Sequence, residues 1–310
     1  MESVRPQRVS VLDPIEPAIE WVRQMLFRPF NLSKWLIIGF CAWLTYLGQG
    51  GGGSGFNYNF PGQRGSDGPD IAVFKDAVLA HLVVILIVCG ILIPLFIVIW
   101  LLVCWVSSRG QFMLVHCTAG NKAEVSIPWK KFSIQGNSLF LFRIALALIT
   151  MAIIGVPCVI AVFAFIGMFK AGLGPAAGAG IVAFAFAIFA ISVIVMLIVK
   201  FTDDFVVPIM FLRASRCLAG WREFLALAGA NKARLALYIL FQIVISMVIT
   251  IIIMTICLVG CCCCCLSVLL LIPYVGTVIL LPLFVFKRAY TLFYLRQYGP
   301  AFDVFRVQAT

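Results

Sequence analysis

The stretch from Leu235 to Phe286 contains no Asp, Glu, Lys, Arg or His. It is more than twice the ~20 apolar residues that one helix needs to cross a bilayer. No water-soluble fold hides so long an uncharged tract. In hydrocarbon, a helix satisfies its backbone hydrogen bonds within one segment. The tract therefore reads as two membrane helices, broken near Gly260 and the run Cys261, Cys262, Cys263, Cys264 and Cys265. Composition extends the argument to the rest of the chain. Hydrophobic residues are 63% and charged residues 11%, against roughly half and ~25% in soluble domains. A soluble protein of this make-up would expose large apolar patches. The predicted fold is all-α: a polytopic membrane protein with six transmembrane helices and amphipathic interfacial helices. The expected spans lie at about 31–48, 78–106, 139–169, 176–199, 235–259 and 266–286. The second is longer than a bilayer requires, and Pro94 is its expected kink.

Residues 1–30 precede the first span. Ile15, Ile19, Val22 and Leu26 recur at helical spacing, with Glu16, Glu20, Arg23 and Gln24 on the other face. Trp21, Phe27 and Phe30 add aromatic anchors. The pattern predicts a helix lying along the membrane surface. No early apolar core with a small-residue cleavage site precedes Trp35, so the first span is expected to serve as its own insertion signal. Residues 48–70 are glycine-rich and polar and read as a flexible external loop. They lack the Gly-Lys-Ser/Thr of a phosphate loop. In the fourth span Ala179, Ala183 and Ala187 sit four apart, as do Ala176 and Gly180. Such a stripe permits close helix approach and places this helix at the centre of the bundle.

Charge orients the spans. Of 23 Lys and Arg residues, only Arg64, Lys75 and Lys170 fall on one side of the expected membrane. The others lie in the N-terminal segment, in the returns 107–138 and 200–234, in the basic tail 287–310, or at Arg143, near the start of the third span. By the positive-inside rule the basic side, with both termini, faces the cytoplasm. The expected location is the cell membrane, as a multi-pass protein of a bacterial inner membrane. The basic rim is expected to attract anionic lipid headgroups. Protein partners of the returns are a second expectation. The net charge of +11 does not indicate nucleic acid, because the basic residues sit at the ends of apolar segments.

Short matches suggest parallel internal repeats. Cys117-Thr-Ala-Gly120 resembles Cys217-Leu-Ala-Gly220, and Trp129-Lys-Lys-Phe132 resembles Trp221-Arg-Glu-Phe224. Asn137 then matches Asn231, each ahead of a span. Pro282–Leu292 in the tail can be laid on Pro208–Leu218. The unit is a membrane helix, an amphipathic return and a second membrane helix, with a third copy split between the chain ends.

Candidate chemistry is sparse. Asp203 and Asp204 lie between apolar runs, and intramembrane carboxylates mark ion or proton paths. An interfacial position, paired with Lys200 or Arg213, is the plainer reading. Arg143 reaches the pair across the bundle or snorkels to the headgroups. Cys261–Cys265 offer soft-metal ligands, but consecutive residues point around a helix, and small apolar filler is the preferred reading. His81 and His116 fall on opposite sides. There is no His-Glu-x-x-His and no Gly-x-Ser-x-Gly, so no catalytic residue, cofactor or resident metal is expected.

Acidic-aromatic-proline (Asp203, Asp204, Phe205, Pro208), then Trp221 and Phe224, then Asn231 before a membrane helix, resembles a group of uncharacterised bacterial six-helix membrane proteins. That group includes the membrane domain attached to some glycerophosphodiester phosphodiesterases. The resemblance covers about residues 70–300 and implies an envelope or lipid connection without an active site. The expected function is a non-enzymatic interaction or lipid-associated envelope module. The competing reading is a small-solute or ion transporter or channel using Asp203, Asp204 and Arg143; a membrane-embedded lipid enzyme is the third. A transporter requires a polar cavity, and an enzyme requires converging titratable groups at headgroup depth.

Overall fold

The computed structural model describes residues 9–47, 82–171, 175–262 and 272–307, and these are helical with no strand. The expected loop 48–70 and Cys263–Cys265 lie outside the described residues, as do the side chains of Cys261 and Cys262. In chain order the helices are α1 (Ile15–Leu26), α2 (Leu32–Leu47), α3 (Leu82–Gly120), α4 (Ser126–Lys131), α5 (Ser133–Thr150), α6 (Val156–Ala171), α7 (Pro175–Phe201), α8 (Val207–Arg213), α9 (Cys217–Ala230), α10 (Lys232–Cys262), α11 (Pro273–Ile279), α12 (Leu281–Arg296) and α13 (Val304–Val307). Four helical stretches are long and apolar enough to cross a membrane: Leu86–Gly120, Ser133–Phe163, Gly180–Arg213 and Lys232–Val259. This is a membrane protein by the length and composition of those helices.

Helix α3 has 39 residues, about 58 Å at 1.5 Å per residue, nearly twice the hydrocarbon thickness. The return expected at 107–138 therefore begins only after Gly120, because 107–120 continue the helix. Their surroundings explain why. Phe112, Met113, Leu114, Val115 and Cys117 are buried, and their burial holds the helix together beyond the lipid-facing part. Higher on α3, Leu92, Phe96 and Leu102 are more than half exposed. The other long helices divide in the same way. Phe163, Phe186 and Met254 are exposed, while Leu139, Phe205 and Tyr238 are buried.

The buried halves form a basal body with α1, α2, α9 and α12. The apolar face of α1 (Ala18, Val22, Met25, Leu26) is covered by protein rather than open to lipid. Trp21 Nε1 donates to the Thr118 carbonyl at 2.8 Å. Ser10 and Gln297 exchange two hydrogen bonds, at 2.7 and 3.0 Å, so both described ends of the chain meet at the base.

Two π turns interrupt the long helices, Met151–Gly155 and Thr202–Val206. Each is followed by Val and then Pro: Val156-Pro157 and Val207-Pro208. Proline has no N–H to continue the ladder, and the turn before it widens. The N–H of Val207 bonds the Thr202 carbonyl. In that register the next donor, for the Asp203 carbonyl, would come from Pro208, which has none. The carbonyl is left for another partner.

Two successive units share one order: a long helix, a non-glycine residue with positive φ (Asn121, 52°; Ala214, 48°), a short helix, then a second long helix. The Cys-x-Ala-Gly correspondence is not structural. Cys117–Gly120 end α3, whereas Cys217–Gly220 begin α9. The small-residue stripe does not put α7 at the centre either. Nothing approaches within 4 Å of a Cβ placed on Gly180, and Ala183 and Ala187 are exposed. Small residues permit close approach without driving it.

Candidate functional site

A cavity of about 780 Å³ lies where the basal body meets the apolar halves of the helices. Its floor is polar: Gln111, Arg143, Lys200, Asp203, Asp204, Lys287, Arg288 and Thr291. Its walls are apolar: Trp100 of α3, Leu146, Ala147, Met151 and Ile154 around the first π turn, and Val195, Met196 and Val199 of α7. From Arg143 to Gly155 the lining runs about 18 Å along the helix. Both π turns border it, a placement that π turns often take at functional sites.

The three polar residues singled out in the sequence converge here. Arg143 Nη2 stands 3.0 Å from Asp203 Oδ1, and its Nη1 donates to Ser108 Oγ at 3.2 Å. Gln111 Nε2 donates to the same Asp203 oxygen at 2.7 Å. Asp204 is buried and pairs with Lys200 at 2.7 Å, one helical turn before it. Tyr238 of α10 donates to Asp204 at 3.0 Å, and Gln242 donates to the Tyr238 hydroxyl at 2.8 Å. Adjacent carboxylates thus serve opposite walls: Asp203 faces α3 and α5, and Asp204 faces α7 and α10. Lys200 is a partner as expected. Arg213 is not, since it holds Glu223 at 3.0 Å instead.

Arg288 was not singled out by sequence reasoning. Its Nη1 donates to the Asp203 main-chain carbonyl at 2.6 Å, the carbonyl that Pro208 leaves without a helical donor. The signal was present as a proline five residues after Asp203, but nothing local names the donor 85 residues away. Gln111, Tyr238 and Gln242 were missed for a related reason, being ordinary polar residues in apolar helices until tertiary structure brings them together.

Below the site, aromatic rings fix the geometry. Phe205, following the acidic pair, has ring centroids of Phe224, Tyr238, Tyr294 and Phe201 within 4.9–6.2 Å. Beside the cavity, Arg109 lies 4.4 Å over Trp105 and 5.1 Å over Trp129 and donates to Asn137 at 3.1 Å. The Cys217 N–H donates to Ser138 Oγ at 3.0 Å, tying α9 to α5. Burial pushes the Cys217 thiol up to about 12. No group of three or more His, Cys, Asp or Glu residues suited to a metal ion occurs among the described residues.

The arrangement can do two things chemically. It can hold a charged or polar group at the floor, and it can accommodate an apolar chain along the walls. No curated protein and no solved structure matches the chain. A family of unknown function, DUF7544, matches residues 9–276, and the chain belongs to it.

Proposed function

We propose that this protein is a lipid-associated module of the cell membrane that binds an amphiphile drawn from the bilayer. One observation carries the reading: the cavity joins a charged floor to apolar walls, between helix halves whose outer surfaces suit lipid. Amphiphile sites take this form, a mostly apolar lining with a few placed polar groups. A carrier for small cations is less well supported, because each carboxylate already has a cation within 3.0 Å. The sequence pattern from Asp203 to Asn231, which resembles the membrane domain attached to some glycerophosphodiester phosphodiesterases, is in keeping with a lipid connection.

We read α2 and residues 266–286 as two further crossings, making six, with the chain ends on the basic, cytoplasmic side. The asymmetry of Lys and Arg supports this orientation. A cysteine placed at Gln63 should then label from outside intact cells, and labelling only after permeabilisation contradicts the orientation.

The test of the amphiphile reading is native mass spectrometry of the full chain in mild detergent. Bound lipid should survive on the protein and be reduced in Ala147→Trp, which places an indole into the apolar lining. Lipid retention unaffected by Ala147→Trp counts against the cavity as the site.

A further inference from the structure

We infer that the ligand carries a phosphate-class anion at its polar end, an inference that rests on the amphiphile reading. Four cations and two carboxylates line the cavity floor. Arg143 is engaged by Asp203 and Lys200 by Asp204. Lys287 and Arg288, adjacent on α12, are the excess. Among the described residues the Lys287 ammonium has no ion-pair partner. Arg288 is 8% exposed, yet its Nε and Nη2 have no acceptor among the described residues.

Those two N–H groups form one edge of the guanidinium. The molecule shows such an edge on an anion: Arg213 Nη2 and Nε both donate to Glu223 Oε1, at 3.0 and 3.2 Å, and Nε also reaches Oε2 at 3.4 Å. In Arg288 the remaining nitrogen, Nη1, donates to the Asp203 carbonyl. A buried donor pair without an acceptor is costly, and its parallel geometry suits two oxygens of a phosphate. A phosphate has a further oxygen to offer Lys287, which a carboxylate lacks. Both Arg288 atoms are buried in a residue that lines the floor, so engagement requires the guanidinium to turn about its hydrogen bond to Asp203. The apolar walls specify the rest of the ligand, an acyl or similar chain.

The experiment titrates the full chain in detergent with a phosphatidic acid, with a diacylglycerol of the same chains, and with inorganic phosphate. Phosphatidic acid should bind at least about 10-fold more tightly than diacylglycerol, the effect of one charge-assisted pair. Arg288→Lys keeps the charge and loses the fork, and should weaken phosphatidic acid binding about 10-fold, narrowing its margin over diacylglycerol. Lys287→Gln, at a half-buried site, should weaken it about threefold. Equal binding of the two lipids, or phosphatidic acid binding unchanged in both variants, overturns the anion inference and leaves the amphiphile reading standing. Binding of neither lipid sinks both. Inorganic phosphate binding as tightly as phosphatidic acid overturns the claim that the apolar chain is part of the ligand.

Discussion

Phe186 and Phe205 lie about five turns apart on one helical path, yet they occupy different solvents. Phe186 is 71% exposed on α7, and Phe205 is fully buried among aromatic rings. The same division runs through α3, α5 and α10. In the apolar half, lipid tails are as good a solvent for side chains as other side chains are, so nothing draws the helices together. In the basal half the helices carry Asp, Arg, Lys and Gln, and each polar group needs a partner. Specific structure is concentrated where polar demand is highest. The cavity forms at the boundary, where the helices stop holding one another.

The largest expected effect sharpens that contrast. Phe205→Ala should cost about 3–5 kcal/mol, the usual loss for a buried aromatic ring. Phe186→Ala should change stability by less than about 0.5 kcal/mol, as exposed substitutions do. Denaturant unfolding in a fixed detergent compares them, and equal losses break the distinction between the two halves.

Removing Arg143 strands a half of a largely buried ion pair. Arg143→Ala should cost about 3–5 kcal/mol, whereas joint replacement of Arg143 by Met and Asp203 by Leu should recover much of that loss. If the double variant is as unstable as the single one, the network does not act as a pair. A third experiment addresses the proline. Pro208→Ala restores the N–H that the Asp203 carbonyl lacks, so Arg288→Met should cost less in that background than in the parent. A double-mutant cycle should read a coupling of about 0.5–2 kcal/mol; a coupling of zero means that Arg288 does not replace the missing donor.

Arg109→Lys tests the rim of the basal body. Lysine keeps the charge but loses the guanidinium's contact with the mutually perpendicular rings of Trp105 and Trp129, at about 1 kcal/mol. The smallest effect is chemical. Cys217 is 1% exposed, and its thiol is pushed up to about 12, so little thiolate exists at neutral pH. It should resist maleimide in the folded protein and react on unfolding. Prompt reaction in the folded state would show that α9 opens from α5.

The sequence carried the helical class and the long apolar helices, because an uncharged run such as Leu235–Val259 has one economical conformation in lipid. It also carried Asp203, Asp204 and Arg143 as the residues to watch, since charge between apolar runs is costly wherever it lies. It misplaced the end of α3, because 107–120 look polar only until α1, α2 and α12 cover them. It also put α7 at the centre, because a small-residue stripe is a permission and not a force. Tertiary structure alone decided that Asp203 and Asp204 face opposite walls, that Arg288 supplies the hydrogen bond Pro208 withholds, and that Lys287 and Arg288 are left as surplus positive charge. Hydrophobicity and charge act residue by residue and are legible along a chain. Hydrogen-bond pairing between helices depends on geometry that exists only once the helices are assembled.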